Sequence, residues 1–349
     1  MTAIKKQRNN LVELARFLFS LLVIGYHVQM TWAGGGVQFF AGGALAVEFF
    51  FLISGFFFAR SVEKIAAREP VQIGKETIGF MRGKIRGILP IHVVAILLMI
   101  LVIVFTRRGE AGNLILQGIP SMFLVQTAAV WNDSYQQALI VPEWYLSAML
   151  LTMLILFPLS LVIKKKTKGA TYVVFLLILM LPIILLAICL TGGLPKNLEQ
   201  NMRAWGEMCV GMFACHLSQH LKTTHLSDKI NKALPALEAI LYIVPIIVGI
   251  TPLSPDAMPV TMVVSVVCVF GAISITFSGK GLQISNHKAN EVFGFLGSLS
   301  LPVYLLHPVL ISLFEYSGIQ MPLWGWHLLI FPLSIGAALL YHQISKRFQ

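Results

Sequence analysis

Two ionisable residues stand inside an apolar run long enough to cross a membrane. Residues 11–32 are mostly apolar, yet Arg16 and His27 lie among them, separated by ten residues, and Glu13 precedes the arginine by one turn. Each ionisable group in a bilayer-length helix costs a few kcal/mol on insertion scales, so such groups turn toward a protein interior and serve a function. At 100° per residue, eleven steps return to within about 20° of the start, so Glu13, Arg16, Ser20 and His27 share one sector of a helix over about 21 Å. A neutral imidazole accepts a proton and returns it, which suits acyl transfer to a hydroxyl. A guanidinium matches pairs of phosphate oxygens. Against the catalytic reading of His27 stands a histidine hydrogen-bonded for helix packing.

Other residues could join this stripe. Glu48, in ALAVEFFFLISGF, is placed about two turns into a second span, near the level of His27. A carboxylate beside a histidine raises its basicity and fixes its tautomer; the alternative is that Glu48 neutralises Arg16 or another buried charge. Arg82, Lys84 and Arg86 precede a third span and read either as a dock for a phosphorylated ligand such as a coenzyme A nucleotide, or as topogenic charge and anionic-lipid contact. Glu143 and Trp144 open a fourth span, where Trp144 is an interface anchor or a surface for a sugar ring. His307, in SLPVYLLHPVL, reads as a second site histidine or a packing one. Trp324 and Trp326 read as interface anchors.

Several chemistries find no support in the sequence. There is no HExxH, cysteine cluster, EF-hand loop, phosphate-binding glycine pattern or GxSxG elbow. Cys189, Cys209, Cys215 and Cys268 all lie in apolar stretches without a CxxC pair, and read as core residues rather than a disulfide framework or metal site.

The elements that position these residues are membrane helices. Of 349 residues, 57% are hydrophobic and 12% charged, with a mean hydropathy of +0.80; a soluble domain carries about 25% charged residues. The pattern predicts an all-α integral membrane protein of about ten spans in one domain covering 1–349. The spans fall near 11–31, 38–59, 87–105, 142–163, 170–190, 204–220, 234–251, 258–277, 292–313 and 323–344. With the N-terminus inside, Lys and Arg concentrate in the inner segments, leaving Arg107, Arg108, Lys196 and Arg203 outside and Arg16 within a span. This bias places both termini in the cytoplasm and accounts for the net charge of +11 without nucleic acid. Glu13 and Arg16 interrupt any signal-peptide core, so the first segment reads as a retained helix. The loop at 106–141 carries IPSMFLVQTAAVW, too short to span, which reads as a re-entrant or interfacial piece roofing a site.

Four motifs in order along the chain carry a family resemblance. Arg16-x10-His27, AVEFFFLISGF, the basic KIRGILP and SLPVYLLHPVL together resemble acyltransferase family 3. The resemblance implies a ten-helix membrane enzyme that moves acyl groups, usually acetyl, to carbohydrate at the bacterial surface. It implies roles for Arg16 and His27, and an acidic residue at Glu48. Two features depart from the pattern: Arg82 and Arg86 are spaced RxxxR rather than RxxR, and Met149 stands where many members have a glutamate. No hydrolase-like domain follows the membrane part, so transfer is direct or passes to a separate partner.

The expectation is therefore a multi-pass membrane O-acyltransferase, most simply an acetyltransferase of the bacterial cytoplasmic membrane, with no bound cofactor. Acetyl-CoA, or another acyl-CoA, would be the donor, with Arg16, Arg82, Lys84 and Arg86 at its phosphates. His27, Glu48 and Arg16 would be the catalytic set. Glu143, Trp144 and His307 would contact a carbohydrate or lipid-linked glycan acceptor, with membrane lipids around the bundle. The rival classes are a secondary transporter for a sugar or anion, and a non-catalytic partner in glycan export.

Overall fold

The structure is a computed structural model that describes residues 9–34, 39–68, 70–130, 138–166, 194–254 and 257–347. Among these the chain is all-α. The helices are α1 (Asn10–Trp32), α2 (Ala46–Ala66), α3 (Ile73–Thr106), α4 (Ala111–Gln117), α5 (Ile119–Met122), α6 (Trp144–Lys166), α7 (Lys196–Thr223), α8 (Asp228–Ile250), α9 (Met258–Ser278), α10 (His287–Glu315) and α11 (Leu323–Lys346). Short 3-10 turns at Ala41–Leu45 and Val141–Glu143 lead into α2 and α6.

Eight of these helices are long and apolar enough to cross a membrane. Of the ten expected spans, the one near 170–190 lies outside the described residues. The one near 204–220 is α7, which is not among the eight. Its sequence carries Glu199, Arg203 and Glu207; Arg203 and Glu207 are held within the bundle with Glu48 of α2, while Glu199 pairs with Lys196 at the exposed first turn. These charges lower its apolar signal below that of the eight.

The helices start where side chains satisfy free backbone N–H groups. The Asn9 side chain accepts from the N–H of Leu11 and Val12, and Glu13 lies in the first, electropositive turn of α1. Asn286 caps α10 in the same way, accepting from Ala289. These two helices pack along each other from that end. Gly297 gives the Glu13 side chain room against α10, and the Ser300 hydroxyl donates to the Arg16 carbonyl at 3.0 Å.

The crossing of α2 and α7 is tighter still. Gly55 lies against the Met208 carbonyl and Gly211 against the Leu52 carbonyl, so each helix presents a bare glycine to the other's backbone. Polar contacts join the pair on both sides of this crossing: Arg203 to Glu48 at one end, and Gln219 donating to Glu63 at 2.7 Å at the other. Phe49, Phe51, Phe56 and Phe58 on α2 fill the surrounding core, each no more than 1% exposed.

The basic end of the bundle carries Lys164, Lys165 and Lys166 in the last turn of α6. Here α3 runs long. Its 34 residues reach about 51 Å at 1.5 Å per residue, against about 30 Å of bilayer hydrocarbon. Its apolar row of Val93, Leu97, Leu101 and Phe105 faces outward, the arrangement lipid favours.

At the opposite end, residues 119–130 form a roof rather than a span. Three sets of buried polar contacts hold it. The Ser121 hydroxyl donates to Glu143 at 3.1 Å, the Thr127 hydroxyl meets that of Ser147 at 2.8 Å, and Asn197 and Asn201 donate to the carbonyls of Gln126, Thr127 and Ala129. Leu124 sits at φ +56°, in the left-handed region, which costs a residue with a side chain about 1–2 kcal/mol. The surrounding contacts hold that strain in place.

Candidate active site

His27 faces His307 across the α1–α10 interface, with His307 Nε2 3.3 Å from His27 Nδ1. Both rings are oriented by their own helices: His27 Nδ1 lies 2.8 Å from the Val23 carbonyl and His307 Nδ1 lies 3.2 Å from the Val303 carbonyl. A carbonyl only accepts, so each Nδ1 carries the proton, a tautomer assigned from the hydrogen-bond network. The His307 Nε2 lone pair then accepts from the shared His27 Nδ1–H. What remains is the His27 Nε2 lone pair, free of hydrogen bonds among the described residues. His27 is partly exposed while His307 is wholly buried. The arrangement presents one basic nitrogen with its tautomer fixed, as general-base chemistry requires.

Arg16 lies eleven residues toward the basic end, about 16 Å along the helix. Its guanidinium pairs with Glu13 at 3.6 Å and its side chain remains 38% exposed. An arginine so placed has donors left for a ligand. Ser20, between the two, is buried and donates to the Phe17 carbonyl, so it belongs to the helix rather than to a path.

Glu48 does not support His27. Its Oε1 accepts from Arg203 at 2.5 Å, and no hydrogen bond or ion pair joins it to the histidine. Glu48 lies in the first turn of α2 and Arg203 about two turns into α7, and the tight crossing of these helices at Gly55 and Gly211 brings them together. Arg203 Nε also lies 3.6 Å from Glu207, an ion-pair distance rather than a hydrogen bond. The guanidinium stands over the Trp144 ring at 5.4 Å. Trp144 is 7% exposed and also packs against Phe51, so it is neither an interface anchor nor open to a sugar.

Glu143 is equally closed to a ligand. Oε1 accepts from His92 Nδ1 at 2.7 Å and Oε2 accepts from Ser121, with the carboxylate fully buried. His92 Nε2 lies 3.1 Å from the Met122 carbonyl, so both ring nitrogens face acceptors. This buried histidine–carboxyl pair, with Ser121 and the Met122 carbonyl, pins the roof to α3 and α6.

The basic cluster on α3 divides. Arg82 and Arg86, one turn apart, are exposed on one face and make no hydrogen bond or ion pair among the described residues. Lys84, 200° away from Arg82 at 100° per residue, lies over the Phe80 ring at 5.4 Å. His307, expected at the acceptor, is instead the buried partner of His27. Trp326 is 2% exposed and stacks on Trp32 at 4.0 Å, a core residue, whereas Trp324 is 67% exposed as an anchor would be.

Sequence reasoning missed the partners that fix these residues. Arg203 and Glu207 are spaced i, i+4 in KNLEQNMRAWGE, a polar stretch in a helix bounded by apolar neighbours, and that was the available signal. Nothing local marks His92 as the partner of Glu143. Among the described residues no group of three or more His, Cys, Asp or Glu side chains is placed to hold a metal ion.

A family model described as an acyltransferase domain matches residues 9–342, nearly the whole chain. No curated protein matches, and no solved structure matches.

Proposed function

The chain belongs to acyltransferase family 3, and from that premise we propose that it moves an acetyl group from acetyl-CoA to a hydroxyl of a cell-surface or lipid-linked carbohydrate. The observation that carries this reading is the His27–His307 pair, which leaves one oriented imidazole nitrogen free at partial exposure. His27 Nε2 takes the acceptor hydroxyl proton as the oxygen attacks the thioester carbonyl. Collapse of the tetrahedral intermediate expels the coenzyme A thiolate, which receives the proton from His27. His307 holds the histidine in the productive tautomer, the role first expected of Glu48.

The basic end is the cytoplasmic one on the positive-inside rule, and the membrane is the bacterial cytoplasmic membrane. Donor phosphates meet Arg16, with Arg82 and Arg86 on the projecting part of α3; Lys84 faces elsewhere. The acyl-bearing arm runs between the levels of Arg16 and His27. The test is acetylation by His27→Ala and Arg16→Ala variants in vesicles, at expression matched to the wild type. Loss of transfer with His27→Ala supports the assignment, and near-normal transfer sinks it.

A further inference from the structure

The acceptor contacts expected at Glu143 and Trp144 are sealed, yet a crevice stands open at the same end of the bundle. It lies where the last turns of α3 and α10 meet α4, opposite the basic end, and encloses about 200 Å³. Met99 and Ile103, both buried, give it an apolar floor. Arg107, Gln117, Ser312, Glu315 and Tyr316 give it polar walls. Arg107 stands over the Tyr316 ring at 4.4 Å, a contact that leaves its N–H donors unspent. Among the described residues its guanidinium makes no hydrogen bond or ion pair, and neither does the Glu315 carboxylate. Opposite charges therefore share one small space without pairing.

The lining selects the occupant. Arg107 only donates, Glu315 only accepts, and the Ser312 and Tyr316 hydroxyls do both. A sugar ring uses all of these at once, because its hydroxyls donate and accept while its ring carbons rest on an apolar floor. At about 200 Å³ the crevice falls below the about 300–1,000 Å³ of a drug-sized site, so it holds a single ring and not a coenzyme A nucleotide. Lipid is excluded by direction. Met99, Ile103 and Arg107 stand one above another on α3, about 160° round the helix from Leu101 and Phe105 of its outward apolar row.

The crevice also stands apart from the reacting group. Glu315 lies eight residues beyond His307 on α10, about 12 Å further toward the outer end. A single sugar with its hydroxyl at His27 does not cover that distance, whereas a short oligosaccharide does. We propose that Arg107, Gln117, Ser312, Glu315 and Tyr316 form a remote subsite for a sugar unit of the carbohydrate acceptor other than the one acetylated, so that the enzyme prefers an oligosaccharide to a single sugar. This rests on the acyl-transfer reading above. It accounts for a charged pair kept apart over an apolar floor at the outer end of the bundle.

Acceptor length tests this in the full chain. The protein in nanodiscs is assayed with acetyl-CoA and with methyl glycosides of glucose, galactose, mannose and N-acetylglucosamine beside their linear tetrasaccharides. For the sugar accepted, kcat/KM should be about tenfold higher for the tetrasaccharide than for the methyl glycoside, the worth of a hydrogen bond to a charged group. Glu315→Gln and the crevice-filling Ser312→Phe should each erase most of that advantage, through KM for the tetrasaccharide. A wild type without the advantage overturns the subsite, and so does a loss shared equally by both acceptors in both variants. Saturation-transfer NMR without acetyl-CoA reads binding apart from transfer. A chain that binds the tetrasaccharide, loses it with Ser312→Phe and transfers no acetyl group overturns the proposed function and keeps the subsite. A transferring wild type whose variants keep the advantage overturns the subsite alone. Neither binding nor transfer overturns both.

Discussion

Two of the histidine pairs in this bundle, His92–Glu143 and His27–His307, have opposite characters. His92 spends both ring nitrogens, one on the Glu143 carboxylate and one on a backbone carbonyl, and is 1% exposed. His27 spends one nitrogen on its own helix and on His307, and keeps the other. The first pair fastens a roof to two helices. The second holds a base. A histidine in a membrane helix is therefore not a catalytic signal by itself; the signal is a nitrogen left over after the local hydrogen bonds are counted.

The largest effect should come from His27→Ala, which removes that nitrogen. Transfer should fall by about 10³-fold, within the range of general-base contributions, at an unchanged melting temperature; acetylation rate beside a thermal melt reads both. Next is Glu143→Gln. Leaving a buried polar partner unsatisfied costs about 1–3 kcal/mol, so the melting temperature should drop while the folded fraction keeps most of its activity. If Glu143→Gln instead abolished transfer with no loss of stability, the two pairs would not differ in kind.

His307→Gln should be milder, because Val23 still accepts the His27 Nδ1 proton. A fall of about tenfold in kcat, worth about 1.4 kcal/mol, with KM for acetyl-CoA unchanged, is expected from steady-state kinetics. An effect as large as that of His27→Ala would make His307 a catalytic group in its own right. The smallest change should come from Arg82→Ala, whose exposed side chain has no partner to lose. KM for acetyl-CoA should rise about threefold, in line with the modest worth of exposed charges, and kcat should hold.

The fold class was legible in composition, and the Arg16–His27 spacing pointed to the helix whose histidine keeps a ring nitrogen free of hydrogen bonds among the described residues. Of the two readings of Glu48, support for His27 does not hold, whereas neutralising a buried charge does: that charge is Arg203. Periodicity and loop charge report how deep a residue lies and which face it shares; they do not report which helix stands opposite. Arg203, 155 residues away, became its partner only through the α2–α7 crossing. The same limit hid His92 from Glu143. In α7, Arg203 and Glu207, paired with each other and with Glu48 inside the bundle, lowered the apolar signal of a helix that packs among the others.

The glycine crossing of α2 and α7 has a mechanical consequence. Gly55 lies seven residues from Glu48 and eight from Glu63, and Gly211 lies eight from both Arg203 and Gln219, so each clasp stands about 10–12 Å from the crossing. The two helices are shaped like shears riveted at the middle and tied at both handles and blades. A methyl group added at either rivet meets backbone that cannot yield, and the displacement reaches both clasps at once. One carbon atom at position 55 or 211 would thus be felt at sites more than 20 Å apart, which leaves these two positions less latitude for variation than the charged residues they align.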